Sequence, residues 1–365
     1  MPLSLRQRIG LELQRSLAKA ERQLHPLRTL FWECTLRCNL SCRHCGSDCK
    51  VKTDTPDMPA ADFLKTIDSI TPHVDPHQTF IIVSGGEPLM RDDLEEVGLA
   101  LYRRGYPWGL VTNGMLLDRQ RLERLLAAGL HSITVSLDGP EEAHNWLRCH
   151  PQSFARATEA IRLLAERSDL LWDVVSCVNP HSYPRLAETK ALLQSLGVPS
   201  WRLFSIFPMG RASEDPDLQL TPTQFRHLLD FIKSCRSQTA GHPDQRPPIE
   251  VSYACEGFLG PYEQQVRDHF FYCRSGVDVA SIRCDGTIGG CTSVRSHMDQ
   301  GNIYTDDVWE VWQHRFRPMR DRSWTRKGQC ASCKVYRYCE GSGLHLYDDD
   351  GQLLVCHYRK LVGDR

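Results

Sequence analysis

The octapeptide CNLSCRHC, residues 38–45, carries three cysteines separated by three residues and then by two. A structural zinc site built on it would need a fourth ligand at short range, and disulfides would pair two thiols and strand the third. The spacing reads most simply as three metal ligands with one coordination position left open. RTLFWEC (28–34) runs just before it with strand character, so the three thiols follow the end of a first strand.

Outward from this loop the strand signal recurs. TFIIVS (79–84), WGLVTN (108–113), SITVSLD (132–138), WDVVSCV (172–178) and WRLFSIF (201–207) are short β-branched or aromatic runs. Helical patterns alternate with them. Asp118 caps a segment in which Leu122, Leu125 and Leu126 share a face and which stops at Gly129; Phe154, Ala157, Ile161 and Leu164 form another apolar stripe. Six such units predict an α/β fold with a mostly parallel sheet, an incomplete (β/α)6 barrel. Ligands gather at the carboxyl ends of such strands. There the chain puts CNLSCRHC, SGGEP (84–88), TNG (112–114), SLDG (136–139) and PMGRA (208–212) on one mouth.

The 365 residues carry a net charge of -1, which leaves no basic excess for nucleic acid or an anionic membrane surface. No stretch approaches the roughly 20 apolar residues of a membrane span. The first residues, MPLSLRQRIGLELQRSLAKAERQL, read as a charged amphipathic helix and not as a signal peptide. The 16 cysteines are therefore expected reduced in a cytoplasm, available for metal. Cys34, Cys38, Cys42, Cys45 and Cys49 crowd the front, and eight more follow Gly241. That distribution suggests a metal-bearing start, a catalytic body and a metal-rich C-terminal module.

With CxxxCxxC, GGEP and SLDG in this strand order, the chain from about residue 28 onward resembles a radical S-adenosylmethionine (SAM) enzyme. The resemblance implies that Cys38, Cys42 and Cys45 hold a [4Fe–4S] cluster whose fourth iron binds SAM, and that SAM is cleaved reductively to a 5′-deoxyadenosyl radical. Matched position by position, Gly85, Gly86 and Glu87 would meet the SAM amino group, Ser136 the ribose, and Arg148 the carboxylate, with Asn113 and Asp138 in the same strand-end turns. Gly210 and Arg211 would form the adenine-side turn. His44 replaces the aromatic residue common before the last cysteine, and Cys34 and Cys49 match no signature position. Both are expected to be structural or spare thiols.

The last third carries a second resemblance. Cys273, Gly286 and Cys291, then CASCKVYRYC (330–339) and Cys356, look like the SPASM extension, which holds auxiliary [4Fe–4S] clusters. The resemblance implies one complete set, Cys330, Cys333, Cys339 and Cys356. The other set is short, because Gly343 stands where the family has a cysteine; Cys284 or Cys255 are the candidates to join Cys273 and Cys291. One or two auxiliary clusters are expected. Four regions follow: an N-terminal amphipathic helix (1–27), a radical SAM partial barrel (28–215), a helical bridging region (216–272) and the SPASM domain (273–365).

SPASM enzymes chiefly modify peptides or proteins, so a peptide or protein substrate is expected, served by an electron donor such as flavodoxin or ferredoxin and by a separate recognition partner, since 27 residues are too few for a peptide-binding domain. A small-molecule or cofactor precursor is the alternative substrate, and a non-enzymatic iron–sulfur or zinc protein the remote one. CEGFLGPYEQQVRDHFFYCRSG (255–276) bears a looser likeness to a SPASM subgroup with small lipoprotein partners. Thr292 stands where sulfatase maturases carry an aspartate, which weakens that outcome. Cys177, at the end of the fifth strand, is a candidate to return a hydrogen atom, as more remotely is Cys284.

Overall fold

The computed structural model describes residues 3–238, 249–254, 256–295 and 298–363. Strands β1 (Thr29–Glu33), β2 (Phe80–Ser84), β3 (Trp108–Thr112), β4 (Leu130–Ser136), β5 (Leu171–Val178) and β6 (Ser200–Ser205) form, in that order, a parallel sheet. All six fall on the runs the sequence predicts. Helices α1 (Leu5–Leu24), α2 (Ala60–Ile70), α3 (Leu94–Arg103), α4 (Arg119–Ala127), α5 (Glu141–Arg148), α6 (Ser153–Ala165), α7 (Leu186–Ser195) and α8 (Pro222–Gln238) precede or connect the strands and follow β6. Asp118 caps α4 by accepting from the Arg121 N–H at 2.7 Å, and the Thr221/Gln224 box starts α8.

Alternation decides which side chains enter the barrel. Trp32 of β1 faces outward and stacks on Phe63 of α2 with ring centroids 4.1 Å apart. Phe31 and Glu33, its neighbours in sequence, take the other face. By the same parity Ser84, Ser136 and Cys177 share the inner face. No described helix is long and apolar enough to cross a membrane.

Four further strands complete a ten-stranded sheet. β7 (Glu250–Tyr253) adds in parallel to β6, inside the region expected to be only helical. On the other edge β8 (Val279–Arg283) pairs in parallel with β1, Thr29 opposite Val279, and continues antiparallel into β9 (Thr287–Gly289) and β10 (Gly301–Asn302). The C-terminal module thus shares hydrogen bonds with the strand that launches the cysteine loop.

Candidate active site

The loop after β1 is held from several sides. The Cys38 N–H donates to Lys50 O at 2.8 Å and the Cys45 N–H to Cys42 O at 3.3 Å. Arg211 clasps it: its backbone N–H donates to Cys45 O at 3.0 Å, Nε to Cys42 O at 2.7 Å, and Nη1 to Cys49 O at 3.0 Å and Asp48 at 2.8 Å. Gly210 allows this approach. Its φ is +56°, and a Cβ there would lie 2.5 Å from Cys45 O. The turn expected on the adenine side is therefore also the staple of the cysteine loop.

Cys38 and Cys42 are buried and Cys45 half-buried. Each sulfur meets one N–H donor: Asn113 Nδ2 lies 3.8 Å from Cys38, Arg148 Nη1 3.9 Å from Cys42, and the Cys49 backbone N–H 3.4 Å from Cys45. A hydrogen bond from the Cys49 thiol brings Cys45 down to about 5, while burial pushes Cys38 up to about 12. Three converging thiols with N–H groups on the sulfurs fit an iron–sulfur cluster, which takes its ligands as thiolates and is tuned by such bonds.

Beside the thiols lies a cavity of about 170 Å³, lined among others by Gly85, Gly86, Asn113, Ser136, Arg148 and Arg211. The glycines are required there, because a Cβ at 85 would sit 2.3 Å from Thr35 O and one at 86 only 2.1 Å from Arg37 O. Glu87, expected beside them, does not line the cavity. Its oxygens accept from Thr112 Oγ1 (2.7 Å), Leu89 N (3.1 Å) and Asn113 N (2.8 Å), so it braces β2 against β3. Asp138 is likewise a brace: it accepts from Arg148 Nε at 2.6 Å and from Cys177 N at 2.9 Å. Burial works to raise its carboxyl, and Arg148 holds it well below the usual range. Arg148 reaches the cavity already oriented by this pair. The ligand atoms of His44, Asp138 and Cys177 all lie within 4.8 Å of one another, which brings Cys177 to the mouth, its thiol pushed up by burial.

The C-terminal thiols divide as follows. Cys330, Cys333, Cys339 and Cys356 sit within one another's fields, and burial raises the first, third and fourth. This four-thiol set fits a second cluster. Cys273 and Cys291 pack at the edge of the main core. Cys284, the described candidate to join them, is buried at the end of β8 beside the carboxylates of Glu33, Asp285 and Asp57. Cys255 lies outside the described residues. At Gly343 a Cβ would meet the His345 ring at 2.6 Å and Glu256 O at 2.9 Å, so the space of the missing cysteine is already taken.

Two groups escaped the sequence reading. Glu256 is fully buried and accepts from Ser205 N (2.9 Å), Ser205 Oγ (2.7 Å) and Tyr253, tying β6 to β7 beside Cys177. Arg295 reaches from the C-terminal module to Glu33 and Ser47 at the cysteine loop. Glu256 lies in the 255–276 stretch without any local sign that it is a brace, Arg295 belongs to no motif, and only the sheet order brings each to the site.

A profile of the radical SAM superfamily matches residues 32–189, and the SPASM iron-sulfur cluster-binding domain matches 273–334. The chain is 26% identical to an AdoMet-dependent heme synthase of Methanosarcina barkeri, over 91% of this chain and 97% of that one. It is 28% identical to mycofactocin maturase MftC of Mycobacterium ulcerans, over 86% and 81%. Among solved structures, anSMEcpe with bound AdoMet superposes with a TM-score of 0.70 at 18% identity, covering 91% of this chain and 94% of that one. Streptococcus suis SuiB bound to S-adenosylmethionine gives 0.68 at 16%, covering 88% and 75%.

Proposed function

The chain is a radical SAM enzyme with a C-terminal SPASM domain, using [4Fe–4S] clusters and S-adenosylmethionine, and from that premise we propose that it abstracts hydrogen from a side group of a heme-type tetrapyrrole. The observation that carries this reading is the chamber on the far side of the cysteine loop. It measures about 270 Å³ and is walled by Phe207, Met209 and the 292–295 segment. A chamber of that size suits one side group of a rigid substrate better than an extended peptide. The likeness to heme synthases over nearly their whole length supports the same choice.

In this reading Cys38, Cys42 and Cys45 hold the cluster, which when bound supplies the electron for reductive cleavage of SAM. Gly85 and Gly86 let the SAM amino acid approach the backbone, Ser136 meets its ribose, and Arg148, held by Asp138, offers its remaining donors to the SAM carboxylate. Glu87 keeps the β2 and β3 ends in register. Cys330, Cys333, Cys339 and Cys356 hold the auxiliary cluster. The electron donor is a flavodoxin or ferredoxin in the cytoplasm.

A peptide or protein substrate is the second reading, favoured by the likeness to mycofactocin maturases. The two separate in one experiment: anaerobically reconstituted enzyme, SAM and strong reductant, with or without an iron porphyrin bearing propionates. Porphyrin-dependent release of 5′-deoxyadenosine, carrying the hydrogen atom taken from the porphyrin, is expected. A rate unmoved by porphyrin and raised by a peptide would overturn the tetrapyrrole reading.

A further inference from the structure

The chamber described above shares His44, Cys45, Ser84 and Gly85 with the cavity beside the thiols. Glu33, Ser47 and Arg295 supply its polar wall. Arg295 is mostly buried and bonds Glu33 and Ser47 through one nitrogen, Nη2. Nη1 and Nε make no hydrogen bond among the described residues. Glu33 is buried, and its Oε2 has no hydrogen-bond partner among the described residues.

Some arginine ties in this protein engage both prongs: Arg104 bonds Asp68 through Nε at 2.7 Å and Nη2 at 3.0 Å, and Arg91 bonds Asp93 through Nε at 2.8 Å and Nη2 at 2.6 Å, whereas Arg148 bonds Asp138 through Nε alone. A guanidinium matches a carboxylate best in that two-pronged form. Arg295 is instead held by one nitrogen, with the rest of its fork uncommitted in a chamber that adjoins the radical-forming site. His44 Nδ1 and Ser84 Oγ, on the same walls, are also buried without hydrogen-bond partners among the described residues. Buried polar atoms left unpaired in one place call for a polar occupant.

We propose that the free edge of Arg295 is the subsite for a substrate carboxylate, with Glu33 and Ser47 holding the guanidinium so that the anion is received across the chamber from the SAM-binding wall. The inference rests on the substrate reading above only for where the carboxylate comes from. A porphyrin propionate and the C-terminus of a peptide offer the same chemistry.

The test is equilibrium binding to the full chain, without turnover. The probes are coproporphyrin III and its tetramethyl ester, followed by tryptophan quenching, and a labelled peptide acid beside its amide, followed by anisotropy. Wild type is expected to bind coproporphyrin III, Arg295→Gln to weaken it roughly tenfold to a hundredfold, and Arg295→Lys to fall between, with the ester indifferent to all three. Retained iron content and melting temperature show that the variants fold. Coproporphyrin binding unchanged in Arg295→Gln overturns the subsite and leaves the tetrapyrrole reading standing. Arg295-dependent preference for the peptide acid, with no porphyrin bound, upholds the subsite and overturns the tetrapyrrole reading. Failure of wild type to bind either acid overturns both.

Discussion

Cys45 and Cys49 lie side by side, yet their chemistry diverges. The Cys49 thiol donates to Cys45 and is pushed up by that bond, and its backbone N–H also points at the Cys45 sulfur. Cys49 is thus a partner of a ligand. Cys49→Ala and Cys34→Ala should keep the SAM-site cluster, whereas Cys38→Ala, Cys42→Ala or Cys45→Ala should each abolish 5′-deoxyadenosine formation; visible absorbance and iron content of each variant check this. Cys177 is judged differently. Its neutral thiol sits near His44 at the mouth, but hydrogen abstraction itself does not use a returned hydrogen atom, so Cys177→Ala should retain 5′-deoxyadenosine release in the assay above. Solvent deuterium appearing in a wild-type product would instead make it the hydrogen donor. The three ligands are legible in the sequence because a short loop encodes its own spacing. The braces are not, since Glu87 and Asp138 look like ligand contacts until their oxygens are found occupied by Thr112, Asn113 and Arg148.

The turn after β6 does for the loop what spacing cannot. Gly210 at φ +56° lets the Arg211 N–H reach Cys45 O, and a methyl group there collides with a backbone carbonyl that has no room to yield. Gly210→Ala should lower stability by about 1–3 kcal/mol and loosen the cysteine loop, read as a lower melting temperature and faster cluster loss to a chelator than in wild type. The six barrel strands were readable because β-branched and aromatic runs ending in Gly-containing turns leave little choice of period. β7 and β8 were not. EVSY is a run of only four residues, beginning 12 positions after a long helix ends, and VASIR has no sequence sign that its partner is β1, some 250 residues earlier. Long-range parallel pairing is a property of topology, and it is what carries Arg295 and Thr292 to the mouth.

At the scale of the whole chain two quantities report on the architecture. His144 and His357 are buried and His345 half-buried, and desolvation lowers all three, His345 to about 4. The unfolded chain takes up protons on these rings near about 6.5 while the folded one does not, so stability is full above that value and falls as pH drops through it, by up to about 1.4 kcal/mol per pH unit for each ring. Anaerobic melts should show the midpoint falling steadily from about pH 7 to about pH 5.5; a flat profile would mean that these rings are hydrated. Iron content tests the other feature. The four thiols Cys330, Cys333, Cys339 and Cys356 can complete a cluster, but the place of a further cysteine is filled by the His345 ring against Gly343. Two four-iron clusters give about 8 iron per chain after anaerobic reconstitution, and Cys339→Ala should leave about half of it with SAM cleavage intact. About 12 iron would instead mean that Cys273 and Cys291 anchor a third cluster, with Cys255 or Cys284 as the candidate further thiols.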